Sequence, residues 1–515
     1  MFTRREFFTL AGGCASAAIF SGCAASNLPL KSPDFQSQDY KQFPALALVT
    51  SITNEYNYEA IVEGKIPQEL RGILYRNGPG LFERAGFRKR CLLDGDGMIQ
   101  AFRIADGKVY FRNKFVRTAK YVEESQAGRF IYPTWTTQAP GGVLGNFFGG
   151  SSKSQAGVRA VVRNGKLYAF DDAMPAYELD AVTLSTVGKT SLGMPHNTTI
   201  LYSHSKIDSR TGEWLFFGLE FGMTVILHIT IFEKNGQLKR HQKFKLPRVV
   251  YIHDFFVTNR HIIFNLPSMD INIFEYLSGQ KSFLGAMRWE PGIGNLILVL
   301  DRLGEEAPFQ LGTDACWMWH VLNAYEAGDE IIADYIGYQN PDHILGENPA
   351  LCAIMEGHRG QYNYPGEIRR YVIHTAKKNI RLEILDKGDY EFPFVNPQFV
   401  CRKHRFGYFA KRYKSQVFFT EIARIDMETL KSESYNFGNG VFCSEPVFVP
   451  KPNHIYPPDA STEPGWLLTE VYNSGKQKTF MAVFRANQIS EGPIAKAYLG
   501  HPMPLGLHGF WHSHR

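Results

Sequence analysis

The amino-acid sequence predicts an all-β fold of many short antiparallel strands, an arrangement found in sandwiches, barrels and propellers. Short β-rich runs alternate with turn signals along most of the chain, as in "KLYAFDD" and "GEWLFFGLEF". The segments "EKNGQ" and "YNSGKQ" have the composition of hairpin turns that join antiparallel strands. No stretch keeps a helical apolar period long enough to indicate a helical domain.

Length and composition indicate one large packed protein. The 515 residues are 44% hydrophobic, 14% aromatic and 21% charged, which is typical of a folded chain and not of a disordered one. At about 60 to 70 residues for each four-stranded blade, a propeller of about seven blades would use the whole folded part. The net charge of +6 is small for this length, and no dense basic stripe is interleaved with aromatic residues. We therefore do not expect nucleic acid as a partner.

The first 26 residues have the pattern of a bacterial export signal of the twin-arginine type. Arg4 and Arg5 precede an apolar stretch too short to span a bilayer. The residues 20–23, "FSGC", resemble a lipobox, so that either lipidation of Cys23 or ordinary cleavage nearby is expected. The signal predicts the periplasm or cell envelope, and export of an already folded protein suits one that acquires a metal in the cytoplasm.

A polar stretch at 27–45 is interpreted as a linker, and 46–515 as one domain. The cysteines of that domain are widely spaced, odd in number and without a CxxC pair, which argues against a zinc-thiolate site and a disulfide framework and leaves a single bridge open. They are Cys91, Cys316, Cys352, Cys401 and Cys443.

Four of the 16 histidines share one setting, an apolar strand-like run beside a turn. They are His204, His253, His320 and His508. A single strand histidine is usually an ordinary polar residue, but the spacing of the first three is roughly one blade each. Because the innermost strand of every propeller blade runs along the central axis, one inward side chain per blade can converge there. Four neutral imidazoles would hold a divalent metal without any thiolate.

Several co-ordered motifs resemble the carotenoid cleavage oxygenase family, which includes carotenoid, apocarotenoid and stilbene dioxygenases and the retinal pigment epithelium isomerase. The motifs are "LYRNGPGLFE" (74–83), "LLDGDGMIQAFRI" (92–104), "KFVRTAKYVEE" (114–124), the four histidine segments, "EFPFVNP" (391–397), "SEPVFVP" (444–450) and "GLHGF" (506–510). The resemblance implies a seven-bladed β-propeller with a helical or loop cap over its top face. It also implies a non-haem Fe(II) bound by the four histidines.

The resemblance further implies carboxylates that hold the second ring nitrogen of three of these histidines. The matching positions are Glu391, Glu445 and Asp171, with Asp172 as the alternative to Asp171. The family has glutamate at the third position, and aspartate is one methylene shorter. The simpler interpretation of the two aspartates is a turn cap, and that of the glutamates is an ordinary edge-strand charge.

The implied activity is the cleavage of a conjugated C=C bond of a carotenoid or apocarotenoid by O2. One alternative is the same chemistry on a stilbene or other phenylpropanoid, since Lys120 lies where stilbene-cleaving relatives place a lysine that meets the phenol. Another is a propeller lipoprotein that binds without catalysis. The sequence has no G-x-S-x-G or H-E-x-x-H motif, which argues against a hydrolase.

A lipophilic polyene substrate implies contact with a membrane surface. The segment 271–289 lies where relatives carry an apolar membrane-dipping stretch, and the alternative is a cap helix packed on the propeller. Its apolar candidates for the membrane or the tunnel mouth are Ile273, Phe274, Tyr276, Leu277, Phe283, Leu284 and Met287. The glycine-rich segment 141–152 is a second candidate for the tunnel mouth, or else a flexible loop.

Overall fold

Seven antiparallel sheets form the blades of a propeller in the computed structural model. The structure describes residues 27–150, 152–172, 174–195, 200–222, 224–360, 362, 364–413, 416–457 and 461–513. The predicted export signal, including Arg4, Arg5 and Cys23, lies outside the described residues. The prediction of a seven-bladed all-β propeller with a helical cap is confirmed.

Each blade is a meander of neighbouring strands. Blade 1 contains Asn57–Glu59, Gly72–Leu81, Asp96–Ala105, Lys108–Phe115 and His508–Ser513; blade 2 contains Arg159–Arg163, Lys166–Phe170, Ala176–Asp180 and Thr186–Thr190; blade 3 contains Ser205–Ile207, Trp214–Glu220, Ile226–Phe232 and Leu238–Lys245. Blade 4 contains Phe256–Val257, His261–Leu266, Asn295–Asp301 and Phe309–Thr313; blade 5 contains Trp317–Ala327, Glu330–Tyr338, Glu367–His374 and Asn379–Asp386. Blade 6 contains Tyr390–Phe394, Phe406–Lys411, Glu421–Asp426 and Ser432–Asn436; blade 7 contains Ile61–Gly64, Val441–Cys443, Val447–Pro450, Gly465–Asn473, Lys478–Arg485 and Ala495–Tyr498.

The two ends of the domain close the ring. The C-terminal strand His508–Ser513 pairs with Gly72–Leu81 at one edge of blade 1. The strand Ile61–Gly64, from the N-terminal part of the domain, pairs with Ala495–Tyr498 at an edge of blade 7. These two joints bring the C-terminal strand, which carries His508, to the same ring as the histidines from the middle of the chain.

The predicted hairpins are confirmed. "EKNGQ" joins Ile226–Phe232 to Leu238–Lys245, and "YNSGKQ" joins Gly465–Asn473 to Lys478–Arg485. Neighbouring blades pack through aromatic side chains, as where Phe217 of blade 3 lies 5.5 Å, between ring centroids, from Phe264 of blade 4. In "DGDGM", Gly97 serves a close approach of two backbones, because a Cβ built on it would lie 2.3 Å from the carbonyl oxygen of Ala156.

Short helices and loops connect the strands, and some of them form the cap. The α-helices are Ser37–Gln42, Ala119–Ala127, Gly142–Asn146, Ile273–Leu277, Asp342–Leu345 and Ala350–Ala353. The short 3-10 helices are Pro44–Val49, Leu92–Asp94, Phe147–Gly149, Leu284–Ala286, Pro291–Ile293, Ile354–Glu356, Pro397–Phe399 and Ile489–Glu491. Two short hairpins complete the elements, one from Leu30–Lys31, Glu83–Arg84 and Phe87–Arg88 and the other from Met269–Ile271 and Met287–Trp289. Among the described residues, no helix has both the length and the apolarity to cross a bilayer.

The segment 27–45, expected as a linker, is instead folded against the domain. Leu30–Lys31 pairs with Phe87–Arg88, and the guanidinium of Arg88 donates to the carbonyl oxygen of Val49. The backbone amide of Gln138 donates to the carbonyl oxygen of Asn27 at 2.6 Å. The polar composition of the segment conceals this packing, in which Leu30, Phe35, Tyr40 and Phe43 also lie against the core.

Candidate metal centre

Four histidine side chains converge on one point at the centre of the ring. One ring nitrogen from each of His204, His253, His320 and His508 lies within 4.8 Å of the others. The ring centroid of His204 is 4.4 Å from that of His253, 5.1 Å from that of His320 and 4.7 Å from that of His508. The structure therefore brings together all four histidines that the sequence singled out.

Each histidine lies at or just before the first strand of a different blade, or on the strand that closes the ring. His204 directly precedes Ser205–Ile207 of blade 3, and His253 lies shortly before Phe256–Val257 of blade 4. His320 lies within the first strand of blade 5, and His508 begins the C-terminal strand of blade 1. In blade 5 the pairing register shifts between Met318 and Val321. Such a bulge turns a side chain away from the regular alternation, and in blade 5 it carries His320.

Three of the histidines form a hydrogen bond from Nδ1 to a carboxylate. His253 donates to Oδ2 of Asp172 at 2.8 Å, His320 to Oε2 of Glu391 at 2.5 Å, and His508 to Oε1 of Glu445 at 2.9 Å. An ionised carboxylate only accepts hydrogen bonds, so the proton of each neutral imidazole lies on Nδ1. The lone pair on Nε2 is then left for a metal, and the ring orientation is fixed.

The carboxylate from the "FDDA" segment is Asp172, so the expectation for Asp171 is wrong. Asp171 accepts hydrogen bonds from the backbone amides of Gln155 at 2.7 Å and of Asp172 at 3.0 Å. The second strand of blade 2, Lys166–Phe170, ends just before the two aspartates. Beyond that point the alternation of a regular strand no longer decides which of two neighbouring side chains faces the axis, which is why the sequence left the choice open.

His204 has a different surrounding from the other three ligands. The nearest acid is Asp254, whose Oδ2 lies 3.8 Å from Nδ1 of His204, beyond hydrogen-bond distance. Asp254 is held by Lys206 at 2.7 Å and accepts the backbone amide of Val321 at 2.9 Å. Asp254 was not predicted from the sequence, although an acidic residue directly after a predicted ligand was a signal that could have found it.

Phe392 is a second residue that sequence reasoning missed. Its ring stacks on that of His320, with the centroids 5.5 Å apart and the planes 25° apart. Its backbone has φ 49°, in the left-handed region that a bulky residue rarely adopts. The register of blade 6 shifts between Glu391 and Phe394, so the same irregularity aims Glu391 at His320 and Phe392 at its ring.

The electrostatics of the site favour charged carboxylate partners and differ among the histidines. Burial, together with the other three histidines, holds the pKa of His204 well below its usual value, and burial lowers the pKa of His508 to about 4. For His320, burial is outweighed by Glu391, which raises its pKa. Burial disfavours the charge on the three carboxylates, yet each histidine partner keeps the pKa of its carboxyl below the usual value.

The donor set fits a divalent transition metal. The Nε2 atoms of His204 and His320 are buried and have no hydrogen-bond partner among the described residues. A buried polar atom without a partner needs an explanation, and a metal ion at the shared centre provides one. Four imidazole nitrogens without thiolate suit iron, copper, nickel or zinc better than calcium or magnesium.

A cavity of about 1040 Å³ opens onto the centre. His253, His320 and His508 are among its lining residues, whereas His204 is not, so the cavity meets the site from one side. Apolar and aromatic residues dominate the wall, among them Leu92, Trp135, Tyr202, Phe283, Trp319 and Phe392. A space of this size and polarity suits a long lipophilic ligand.

Apolar residues of both predicted segments surround the mouth of the cavity. Leu144 and Phe147 line the cavity and are 88% and 40% exposed, whereas Phe274, which is 64% exposed, lies on the helix Ile273–Leu277 without lining the cavity itself. The cavity-facing residues of the second segment are Ile273, Tyr276, Leu277 and Phe283. Leu284 and Met287 are instead buried in the core, so their prediction as membrane or tunnel residues is wrong. Both follow the helix Ile273–Leu277, where the chain turns back onto the propeller.

Lys120 does not line the cavity, and its prediction as a substrate contact is wrong. It is fully buried on the helix Ala119–Ala127. Its Nζ lies 2.7 Å from Asp96 and 3.1 Å from Glu124. A lysine charge taken out of water needs such partners, and this network holds the helix against blade 1.

Comparisons with known proteins agree with this geometry. Residues 49–513 match the family model described as retinal pigment epithelial membrane protein. An apocarotenoid-15,15'-oxygenase from Synechocystis sp. is 30% identical over 87% of this chain and 92% of its own. An isoeugenol monooxygenase from Pseudomonas nitroreducens is 25% identical over 88% of this chain and 94% of its own. A solved structure of cobalt-substituted Synechocystis apocarotenoid oxygenase superposes with a TM-score of 0.85 at 29% identity, covering 93% of this chain and 99% of that one.

Proposed function

The chain belongs to the family of the retinal pigment epithelial membrane protein, and from that premise we propose that it is a non-haem iron dioxygenase that cleaves a conjugated C=C bond of a carotenoid or apocarotenoid. The observation that carries the proposal is the convergence of His204, His253, His320 and His508 at the wall of a large apolar cavity. The similarity to an apocarotenoid-15,15'-oxygenase supports the substrate class.

The four Nε2 atoms would hold the metal, and Asp172, Glu391 and Glu445 would hold three of the rings in place. When bound, ferrous iron supplies the activation of O2. The carboxylates keep the Nδ1 protons in position, so that each Nε2 lone pair stays directed at the centre. His204 is kept neutral by burial and by the neighbouring rings.

The cavity binds and orients the substrate. The reaction adds both atoms of O2 across one double bond and yields two carbonyl products. No side chain has to act as a nucleophile or release a leaving group. The apolar wall holds the conjugated chain in one orientation and excludes water from the reacting bond.

The same chemistry on a phenylpropanoid is the second candidate. An isoeugenol monooxygenase and a lignostilbene-α,β-dioxygenase isozyme from Sphingomonas paucimobilis are relatives at 25% and 26% identity. The volume of the cavity, about 1040 Å³, favours a longer polyene over a phenol of one or two rings.

A membrane surface and an export route complete the proposal. The exposed apolar residues at the mouth, among them Leu144 and Phe274, would rest in the bilayer interface and take up substrate from it. The N-terminal segment would direct the protein to the bacterial periplasm or cell envelope, either free or anchored by lipid on Cys23.

Product analysis tests the proposal. Iron-loaded protein is incubated in air with β-carotene, β-apo-8'-carotenal, resveratrol and isoeugenol, and the products are identified by mass spectrometry. We expect aldehydes from the apocarotenoid or carotenoid. Cleavage of only the phenolic substrates would favour the second candidate. Protein that binds no iron and cleaves none of the four would favour a binding propeller and overturn the proposal.

A further inference from the structure

An arginine side chain lies in the wall of the predominantly apolar cavity. Arg412 follows the strand Phe406–Lys411 of blade 6 and is a lining residue of the cavity. Its side chain is only 7% exposed. Burial lowers its pKa to about 10, so the guanidinium keeps its charge at neutral pH. A charged group in an apolar cavity is costly and needs a reason.

The guanidinium is held rigidly. It lies between two rings, 4.2 Å from the ring centroid of Tyr362 and 4.3 Å from that of Phe419. Its Nη1 donates to Asp389 at 2.6 Å, and its Nε donates to the carbonyl oxygen of Val417 at 3.3 Å. Together with a hydrogen bond to the side chain of Tyr338, these contacts use three of the five N–H groups of a guanidinium. The group is therefore fixed in place with donor capacity left over.

A second donor lies on the same wall. Trp319 donates its indole N–H to Nε2 of His343 at 2.5 Å, and burial lowers the pKa of His343 to about 3. The imidazole is thus neutral and carries its proton on Nδ1. That nitrogen is buried and has no hydrogen-bond partner among the described residues. Because His343 also lines the cavity, this wall holds a buried N–H group without an acceptor among the described residues.

We propose that Arg412 is a specificity residue that anchors a carbonyl oxygen at one end of the polyene, an inference that rests on the proposed function and names the end group of its substrate. Asp389 lies 2.6 Å from Nη1 of Arg412 and is already the acidic partner of the guanidinium, so a neutral acceptor is sufficient and a carboxylate is not required. A hydrocarbon end would instead cover the donors and leave them without acceptors.

The anchor would also select the bond that is cleaved. Tyr338 forms side-chain hydrogen bonds with both Glu391 and Arg412, which places Arg412 on the side of the cavity where Glu391 holds His320. With one end of a rigid conjugated chain fixed at Arg412, a particular double bond lies beside the metal. A substrate without the end group would bind in several positions.

Equilibrium binding to the metal-free protein tests the anchor without any turnover. The probes are retinal and its oxygen-free analogue axerophtene, and the readout is quenching of the tryptophan fluorescence, since Trp135 and Trp319 line the cavity. Arg412→Met removes the hydrogen-bond donors and leaves a side chain of similar volume. Arg412→Lys keeps the positive charge but lacks the planar set of guanidinium donors. Arg424→Met is the matched control, because Arg424 also packs on an aromatic ring, 3.8 Å from the centroid of Phe406, but does not line the cavity.

We expect Arg412→Met to weaken retinal binding by about 10-fold to about 100-fold, the range for a hydrogen bond to a charged group, and to leave axerophtene binding unchanged. Arg412→Lys should weaken retinal binding by a smaller factor and leave axerophtene binding unchanged. If the methionine variant does not melt cooperatively, the comparison of the lysine variant with the wild type tests the anchor instead. Equal effects on both probes, or none on either, would overturn the anchor. Failure of the iron-loaded wild type to cleave any polyene would instead overturn the proposed function, whatever the binding result.

Discussion

His253 donates its Nδ1 proton to Asp172 at 2.8 Å, whereas Asp171 next to it accepts a hydrogen bond from the backbone amide of Gln155. Two identical neighbouring side chains thus have different tasks. Asp172 also accepts hydrogen bonds from the hydroxyls of Ser203 and Tyr251. These contacts keep the shorter aspartate in reach of the ring where the family has glutamate.

The first prediction separates these two aspartates. Asp172→Asn removes the charge that holds His253, so the affinity for Fe(II) should fall by about 10-fold to about 100-fold. Asp171→Asn is the matched control and should leave the affinity within about 2-fold, because the hydrogen bonds of Asp171 with described residues come from the backbone amides of Gln155 and Asp172 and not from a histidine. Anaerobic metal titration of the two variants measures both values. A larger loss for Asp171→Asn than for Asp172→Asn would contradict the assignment.

The second prediction concerns the apolar mouth of the cavity. Leu144→Asp should lower the fraction of protein that sediments with anionic phospholipid vesicles several-fold, because it places a charge in the surface proposed to enter the bilayer interface. Val187→Asp is the matched control, since Val187 is a comparably exposed apolar residue on the outer strand of blade 2. Equal losses for the two variants would show that the mouth has no special part in vesicle binding.

The third prediction uses the pKa of a buried acid outside the metal centre. Burial raises the pKa of Glu463 to about 7, and Tyr408 donates its hydroxyl to Glu463 at 3.0 Å. Between about pH 4.5 and about pH 7 the folded state keeps a proton that the unfolded state releases, so the wild type loses stability as the pH rises through this window. Glu463→Gln removes that loss.

Denaturant unfolding at two pH values measures this effect. At pH 8 the Glu463→Gln variant should exceed the wild type in the free energy of unfolding by about 1 to 3 kcal/mol, and the difference should shrink at pH 5, where the wild-type carboxyl is protonated when folded. A difference that stays constant between the two pH values would rule out titration of Glu463 as its cause.

Much of the fold could be predicted from the sequence, since turn composition and strand-like runs depend on local residue types. "EKNGQ" and "YNSGKQ" are hairpin turns in the structure, and the four histidines converge as expected. Two features depend on contacts distant along the chain and could not be predicted. The segment 27–45 packs through backbone hydrogen bonds and through apolar side chains such as Leu30 and Phe35, and Leu284 turns into the core after a helix that faces the cavity mouth.

The details of the site depend on irregular backbone. Bulges carry His320 and Glu391, and the left-handed φ of Phe392 directs its ring at His320. Regular alternation predicts none of these orientations. The strand Lys166–Phe170 also ends just before the two aspartates, so alternation could not decide between Asp171 and Asp172. Lys120 was misplaced for another reason, since its partners Asp96 and Glu124 form a buried network that sequence position alone does not reveal.

The iron content of purified His320→Ala protein, compared with the wild type by elemental analysis after anaerobic loading, tests the central claim most directly. We predict one iron per chain for the wild type and a loss of bound iron for the variant, with an unchanged far-ultraviolet circular dichroism spectrum, because the packing of seven blades does not depend on the metal. A folded variant that still holds one iron per chain would contradict the four-histidine centre.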